Sequence, residues 1–136
     1  MFATPVFAVN APDSSLSTLV CKTSEVLACT VYQPPKPVFK RSVTSDGWCV
    51  SFVRQNGFEK YTGDADRWLT YVNSQIPEVG SVIVLDEGPI GHLALVEEVT
   101  IDTIKVIEQN YLGRWIVSER TLDRSYKNIL GYVTLD

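Results

Sequence analysis

An α+β domain, with helices first and an antiparallel sheet after them, is what this sequence predicts, and two observations carry that expectation. Between residues 48 and 75 apolar side chains recur at the spacing of helices that bury one face. Beyond Pro77 the pattern changes to five runs rich in Val and Ile, roughly 81–86, 91–100, 103–110, 114–121 and 129–135. Short turns containing Gly or Asp separate most of these runs, so pairing between sequence neighbours, an antiparallel meander, is the natural topology.

The elements follow in order. The N-terminal stretch "MFATPVFAVNAP" places small residues at Val6/Ala8 and Val9/Ala11, as at the end of a cleavable signal peptide, yet lacks a basic region and a full apolar run before them. A clipped signal remnant and an apolar tail packed on the domain both fit. From Lys22 to Ser45 the chain reads as irregular, with Pro34, Pro35 and Pro37 stiffening it into a connector or a wrapping segment. The organisation expected is therefore an N-terminal extension over residues 1–45 and a folded domain over 46–136.

In "SDGWCVSFVRQNG" (45–57), Ser45 and Asp46 are candidate N-caps, apolar residues fall at 48, 49, 52 and 53, and Asn56-Gly57 is a stop signal. Cys49 then lies in the first turn of a short helix. "GDADRWLTYVNSQ" (63–75) predicts a second helix, with Ala65, Trp68, Leu69 and Val72 on one face.

Composition narrows the function. The 136 residues suit one ordinary domain, and 45% apolar with 21% charged residues is the balance of a soluble globular chain. Twelve Lys+Arg against 16 Asp+Glu give a net charge of −4, and the longest basic cluster is Lys40-Arg41. Nucleic acid is thus an unsuitable partner, and simple attraction to an anionic surface is disfavoured. No apolar run reaches the length of a membrane span.

Three cysteines, Cys21, Cys29 and Cys49, leave at least one thiol over if two pair. Cys21 and Cys29 fit a local disulfide and ordinary small apolar positions equally well.

His92 is the sole histidine, and it opens a hairpin whose far strand carries Glu108 and Asn110. If residues 91–100 and 103–110 pair around position 101, partners sum to about 202, so His92 faces Asn110 with Glu108 on the diagonal. Glu108 and Asn110 share one face, and Ile107 and Gln109 take the other. A carboxylate or amide that fixes one imidazole nitrogen leaves the other free as a base. Cys49 is the candidate nucleophile, because a helix N-terminus and a nearby imidazolium both favour the thiolate, and the backbone N–H groups that follow it suit an oxyanion. Singly, each residue fits a structural role better: a strand histidine, a buried thiol, a solvated glutamate. The ordered set of Cys49, His92, Glu108 and Asn110 is what points to catalysis.

From Trp48 onward the chain resembles the CHAP domain (cysteine, histidine-dependent amidohydrolase/peptidase), a papain-like fold common in phage endolysins and bacterial cell-wall hydrolases. The residues that carry the likeness are "WCVSFVR", "GDADRW", "IPEVGSVIVL", "GHLALVEEV", "VIEQNY" and "ILGYV", in family order. The resemblance implies helices packed on a five-stranded, mainly antiparallel sheet. It makes Cys49 the nucleophile, His92 the general base and then acid, Glu108 the residue that orients the imidazole, and Asn110 a polar neighbour. It implies cleavage of a peptidoglycan amide, either N-acetylmuramoyl-L-alanine or a bond of the stem peptide or cross-bridge.

A monomer without a cofactor is expected, acting at the cell wall after secretion or release by a phage lysis system. Some family members bind calcium through closely spaced aspartates before the cysteine; here "KRSVTSDGWC" offers only Asp46, and Asp64 and Asp66 suit a helix start better than a metal. Three alternatives remain open at this level: a thiol hydrolase of another small amide, a non-catalytic module of an envelope or virion complex, and a zinc site built from Cys21, Cys29, Cys49 and His92, whose spacing fits no common motif.

Overall fold

The structure, a computed structural model, describes residues 6–8, 18–22, 28–32 and 37–135. Two compact units divide the chain, Met1–Pro35 and Lys36–Asp136.

The first unit contains a three-stranded antiparallel sheet in the order β1 (Val6–Ala8), β2 (Thr18–Lys22), β3 (Ala28–Tyr32). This corrects the expectation of irregular chain after Lys22. "ACTVY" is a five-residue run of β-favouring Thr, Val and Tyr beside the Pro-rich tract, and β3 pairs along its whole length with β2, Cys21 opposite Cys29.

In the second unit the helical segments come first and the sheet follows. Helix α1 spans Cys49–Val53 and runs into a widened turn, Arg54–Phe58, that breaks at Asn56 and Gly57, the expected stop. The second helix is shorter and tighter than the sequence suggested: a 3-10 helix over Ala65–Tyr71. The chain abandons it because the backbone of Asn73 and Ser74 bonds to Tyr132 instead, and Asn73 Oδ1 accepts from Thr134 N–H at 2.9 Å. Competition from strand pairing thus outweighs the helical periodicity of residues 72–75.

Five antiparallel strands form the sheet, β4 (Val82–Leu85), β5 (His92–Val99), β6 (Thr103–Gln109), β7 (Val117–Asp123) and β8 (Ile129–Val133). Their order is β7-β6-β5-β4-β8. The meander holds from β4 to β7, but β8 crosses back to pair with β4 rather than joining β7. Gly131 makes this placement possible: its φ is +147°, and a Cβ there would lie 2.4 Å from Val72 Cγ1.

Two apolar layers hold the sheet. On one face Cys49, Phe52, Val53, Phe58, Ala65 and Trp68 share a buried cluster with Val84, Leu93, Leu95 and Ile107; on the other, Ile83, Leu85, Ala94, Val96, Ile104 and Val106 pack together. Trp68 is fully buried, donates Nε1–H to the Gly63 carbonyl at 3.2 Å, and lies 5.4 Å from the Tyr61 ring and 5.7 Å from Tyr71. Trp68→Ala is expected to cost about 3–5 kcal/mol, measured as a lower urea midpoint; a midpoint within experimental error of the wild type would show that this aromatic cluster does not hold the core.

Candidate active site

The nucleophile candidate is positioned by a strap. Residues 37–47, which form no helix or strand, are tied to the widened turn after α1, where Lys40 N–H donates to Asn56 Oδ1 at 2.6 Å and Gln55 Nε2 donates to the Ser42 carbonyl at 2.7 Å. Gln109, fully buried at the end of β6, accepts from Thr44 N–H and donates Nε2–H to the Trp48 carbonyl at 2.8 Å. The N-cap is Trp48 rather than Ser45 or Asp46. Asp46 fastens the turn from just outside: its carboxylate accepts from Trp48 N–H at 3.0 Å and from Ser51 Oγ at 2.5 Å. Burial works upward on Asp46, but these bonds, Thr44 and the Arg114 charge hold it below the usual carboxylate range.

Cys49 is the first residue of α1 and a free, buried thiol. The N–H groups of Cys49, Val50 and Ser51 precede the first intrahelical donor, since the bond from Phe52 N–H to the Trp48 carbonyl closes the first turn.

His92 opens β5. The β5–β6 register pairs Leu95 with Ile107 and Val96 with Val106, sums of 202, and a bulge at Glu97 shifts it by one residue towards the turn. The expected register therefore holds as far as Leu95 and Ile107, where the β5–β6 pairing ends short of His92 and Asn110. The diagonal partner, Glu108, reaches the imidazole: His92 Nε2 and Glu108 Oε1 are 2.8 Å apart. Asn110 instead lines the groove, with its backbone at φ +70° and its N–H donating to the Ile116 carbonyl, so it turns the chain out of β6.

His92 is 6% exposed and Glu108 is 0% exposed. Burial alone would lower the imidazole, but hydrogen bonds to Cys49 and Glu108 outweigh it and raise His92 to about 9. With Nε2 committed to Glu108, Nδ1 is the ring nitrogen left for Cys49.

A second tier of charge, with no local pattern in the sequence to mark it, lies behind Glu108. Arg120, on β7, donates Nε–H to Glu108 Oε2 and Nη2–H to Oε1, both at 2.9 Å. Its other edge donates Nη1–H and Nη2–H to Glu87 at 2.9 and 2.8 Å. Tyr126 donates its hydroxyl to Glu87 at 2.7 Å. Burial opposes the Arg120 charge, and the two carboxylates outweigh it. The signal that could have found Arg120 is the pairing of β6 with β7: Glu108 faces Ser118, so Arg120 is its diagonal neighbour, and a buried carboxylate needs a cation.

These groups open onto a groove of ≈ 820 Å³, whose walls include Trp48, Cys49, Asp64, Glu87, His92 and Tyr111. Beside it, Arg114 is sandwiched 4.0 Å from the Trp48 ring and 4.2 Å from the Trp115 ring. Trp115 sits at φ +65°, costly for a bulky side chain, and is pinned by Nε1–H to the Ser45 carbonyl and by close packing on Gly47. Gly47 (φ +74°) is required here, because a Cβ would lie 2.8 Å from the Trp115 ring. Among the described residues no cluster of three or more His, Cys, Asp or Glu is arranged to hold a metal ion, and no helix is long and apolar enough to cross a membrane.

A helix-borne thiol, an imidazole on a neighbouring strand and a buried carboxylate behind it, opening on a cleft of an α+β fold, define the class of cysteine- and histidine-dependent sites. The sequence matches the CHAP domain over residues 41–110, a span that includes Cys49, His92, Glu108 and Asn110. The chain belongs to the CHAP domain family, whose membership implies a peptidoglycan hydrolase or another amidase or peptidase. No curated protein matches it. Among solved structures it is similar to one described as "The crystal structure of Ly7917", at 20% identity and a TM-score of 0.52, covering 68% of this chain and 55% of that one. That likeness concerns the fold, and the chain spans about half the length of that protein.

Proposed function

We propose that this protein is a thiol hydrolase that cleaves an amide bond of peptidoglycan, with Cys49, His92 and Glu108 as its working groups. The observation that carries the reading is the buried imidazole held between a free thiol and a buried carboxylate beside an open groove. In the proposed reaction the Cys49 thiolate attacks the amide carbonyl carbon, and the N–H groups at the start of α1 stabilise the oxyanion. Collapse of the tetrahedral adduct breaks the C–N bond; Nδ1 of the His92 imidazolium gives its proton to the leaving amine, and a thioester remains. Neutral His92 then takes a proton from water, hydroxide adds to the thioester, and the carboxylic acid leaves as the thiolate–imidazolium pair is restored. Asn110 is proposed as a polar wall of the same groove. Action at the cell wall, as a monomer released by secretion or phage lysis, belongs to the same proposal.

Digestion of purified peptidoglycan by the wild-type protein, with mass spectrometry of what is released, tests the reading. New muramoyl carboxylates paired with free L-alanine amines identify an amidase, whereas new termini inside the stem or cross-bridge identify an endopeptidase. Sacculi of several wall types left intact under reducing conditions would overturn it. Glu108→Gln should slow release by about 10–100-fold, less than loss of Cys49 or His92, because Glu108 orients the imidazole and moves no proton itself. An unchanged rate would remove Glu108 from the site.

A further inference from the structure

A fully buried carboxylate behind the imidazole raises a physical problem that Cys49 and His92 do not solve. Glu108 is 0% exposed, and an isolated carboxylate charge in that setting is costly. A Glu108 without a second partner would also be free to turn away from the imidazolium that the proposed reaction needs. Its compensation comes from the next strand.

We propose that Arg120 is a positioning residue of this site: gripping both oxygens of Glu108 and held in turn by Glu87, it holds the Glu108 carboxylate aimed at Nε2 of His92. The inference rests on the catalytic reading above, because it is the thiolate–imidazolium pair that Arg120 serves. Three features of the geometry support it. The grip is bidentate on both carboxylates, using the Nε/Nη2 edge for Glu108 and the Nη1/Nη2 edge for Glu87, so the planar guanidinium cannot rotate without losing bonds. The far anchor is itself fixed, since Glu87 accepts the Tyr126 hydroxyl and Asn128 Nδ2 donates to Tyr126 at 3.0 Å. Finally, Tyr111 covers the guanidinium, whose carbon lies 3.6 Å from the ring centroid. Arg120 is absent from the groove walls, whereas Tyr111 is part of them. It therefore acts through Glu108, and not on substrate.

The charges facing His92 come from four elements: Cys49 on α1, Glu108 on β6, Arg120 on β7 and Glu87 in the segment after β4, with the Tyr111 ring 6.1 Å away. With Cys49 as thiolate, signs alternate along the path from Cys49 through His92, Glu108 and Arg120 to Glu87. Each buried charge touches one of opposite sign, the condition under which buried ions are tolerated. Lysine cannot reproduce the role of Arg120, because a single ammonium offers no planar fork for two carboxylates.

Since His92 is the sole histidine, one imidazole NMR signal reports the site without assignment ambiguity. The experiment is a pH titration of that signal in the wild-type chain, Arg120→Met and Arg120→Lys, with peptidoglycan turnover measured alongside. In Arg120→Met, Glu108 loses both bonds that aim it at His92, so the His92 midpoint falls by about one pH unit or more and turnover drops roughly 10–100-fold. Arg120→Lys keeps a cation: its midpoint stays near the wild-type value while turnover falls about tenfold through lost aim. An Arg120→Met midpoint equal to that of the wild type would overturn the proposal, leaving Arg120 a packing residue. A midpoint that rises would overturn it too, because Arg120 would then only repel the imidazolium. Should Arg120→Met fail to fold, wild-type turnover in Arg120→Lys would refute the positioning role. If the wild type releases nothing from peptidoglycan, the catalytic reading fails separately, and the titration still decides whether Arg120 holds Glu108 against His92.

Discussion

Cys49→Ala is expected to abolish peptidoglycan cleavage, by about 10⁴-fold or more, while leaving the fold in place. The size of the effect follows from chemistry: the sulfur forms the bond that splits one difficult hydrolysis into two easier steps, and alanine offers nothing in its place. The fold should survive because the change removes one atom from the rim of the core. Phe52, Val53, Phe58 and Trp68 carry the packing of that cluster and are all fully buried, whereas Cys49 sits at its groove edge, 8% exposed. Circular dichroism and a melting temperature within a few degrees of the wild type would establish that the protein tested is folded. Wild-type release of fragments by folded Cys49→Ala would defeat the mechanism.

His92→Ala should be equally severe. Cys49 would lose its base and the leaving amine its acid, and no second histidine exists in the chain to substitute. The variant should nevertheless fold, because Glu108 keeps both of its bonds to Arg120 and is not left as an unpaired buried charge. The same residue fixes the pH dependence of the wild type. Its value is raised above the ordinary imidazole value of 6.5 to about 9, so the proton is retained through neutrality and lost as pH rises through about 9. Cleavage, which needs that proton for the leaving amine, should hold at neutral pH and decline on the same rise. A decline centred near the ordinary imidazole value would mean that Cys49 and Glu108 do not hold the proton in solution.

Much of this arrangement was legible in the sequence, for local reasons. Val- and Ile-rich runs located all five strands of the main sheet, and Asn56-Gly57 marked the break after α1, because periodicity and glycine conformation act over a few residues. The pairing sum of 202, read from the hairpin alone, brings Glu108 within reach of His92. Hidden features depended on partners distant in sequence. The return of β8 to β4 and the early end of the 3-10 helix are two sides of one event, the capture of Asn73 and Ser74 by Tyr132. The β1–β3 sheet was obscured because prolines next to β3 suggested an irregular segment. Arg120 was obscured because a single arginine in a polar strand carries no pattern of its own, and its meaning depends on Glu108 being fully buried. Trp115 at positive φ could not be anticipated, since its packing on Gly47 and its bond to the Ser45 carbonyl, both distant in sequence, hold it there.

The placement of β7 and β8 at the two margins of the main sheet also bears on self-association. An open strand margin is a template for another chain, and long, flat, apolar margins invite amyloid-like stacking. Here β8 is covered over part of its length by the bridge between Ser74 and Tyr132, and β7 bears Glu119, Arg120 and Asp123 within seven residues. The arginine that grips Glu108 therefore also counts among the charges that make this margin a poor template, so a neutral residue at position 120 would remove one gatekeeper against aggregation as well as a support of the site.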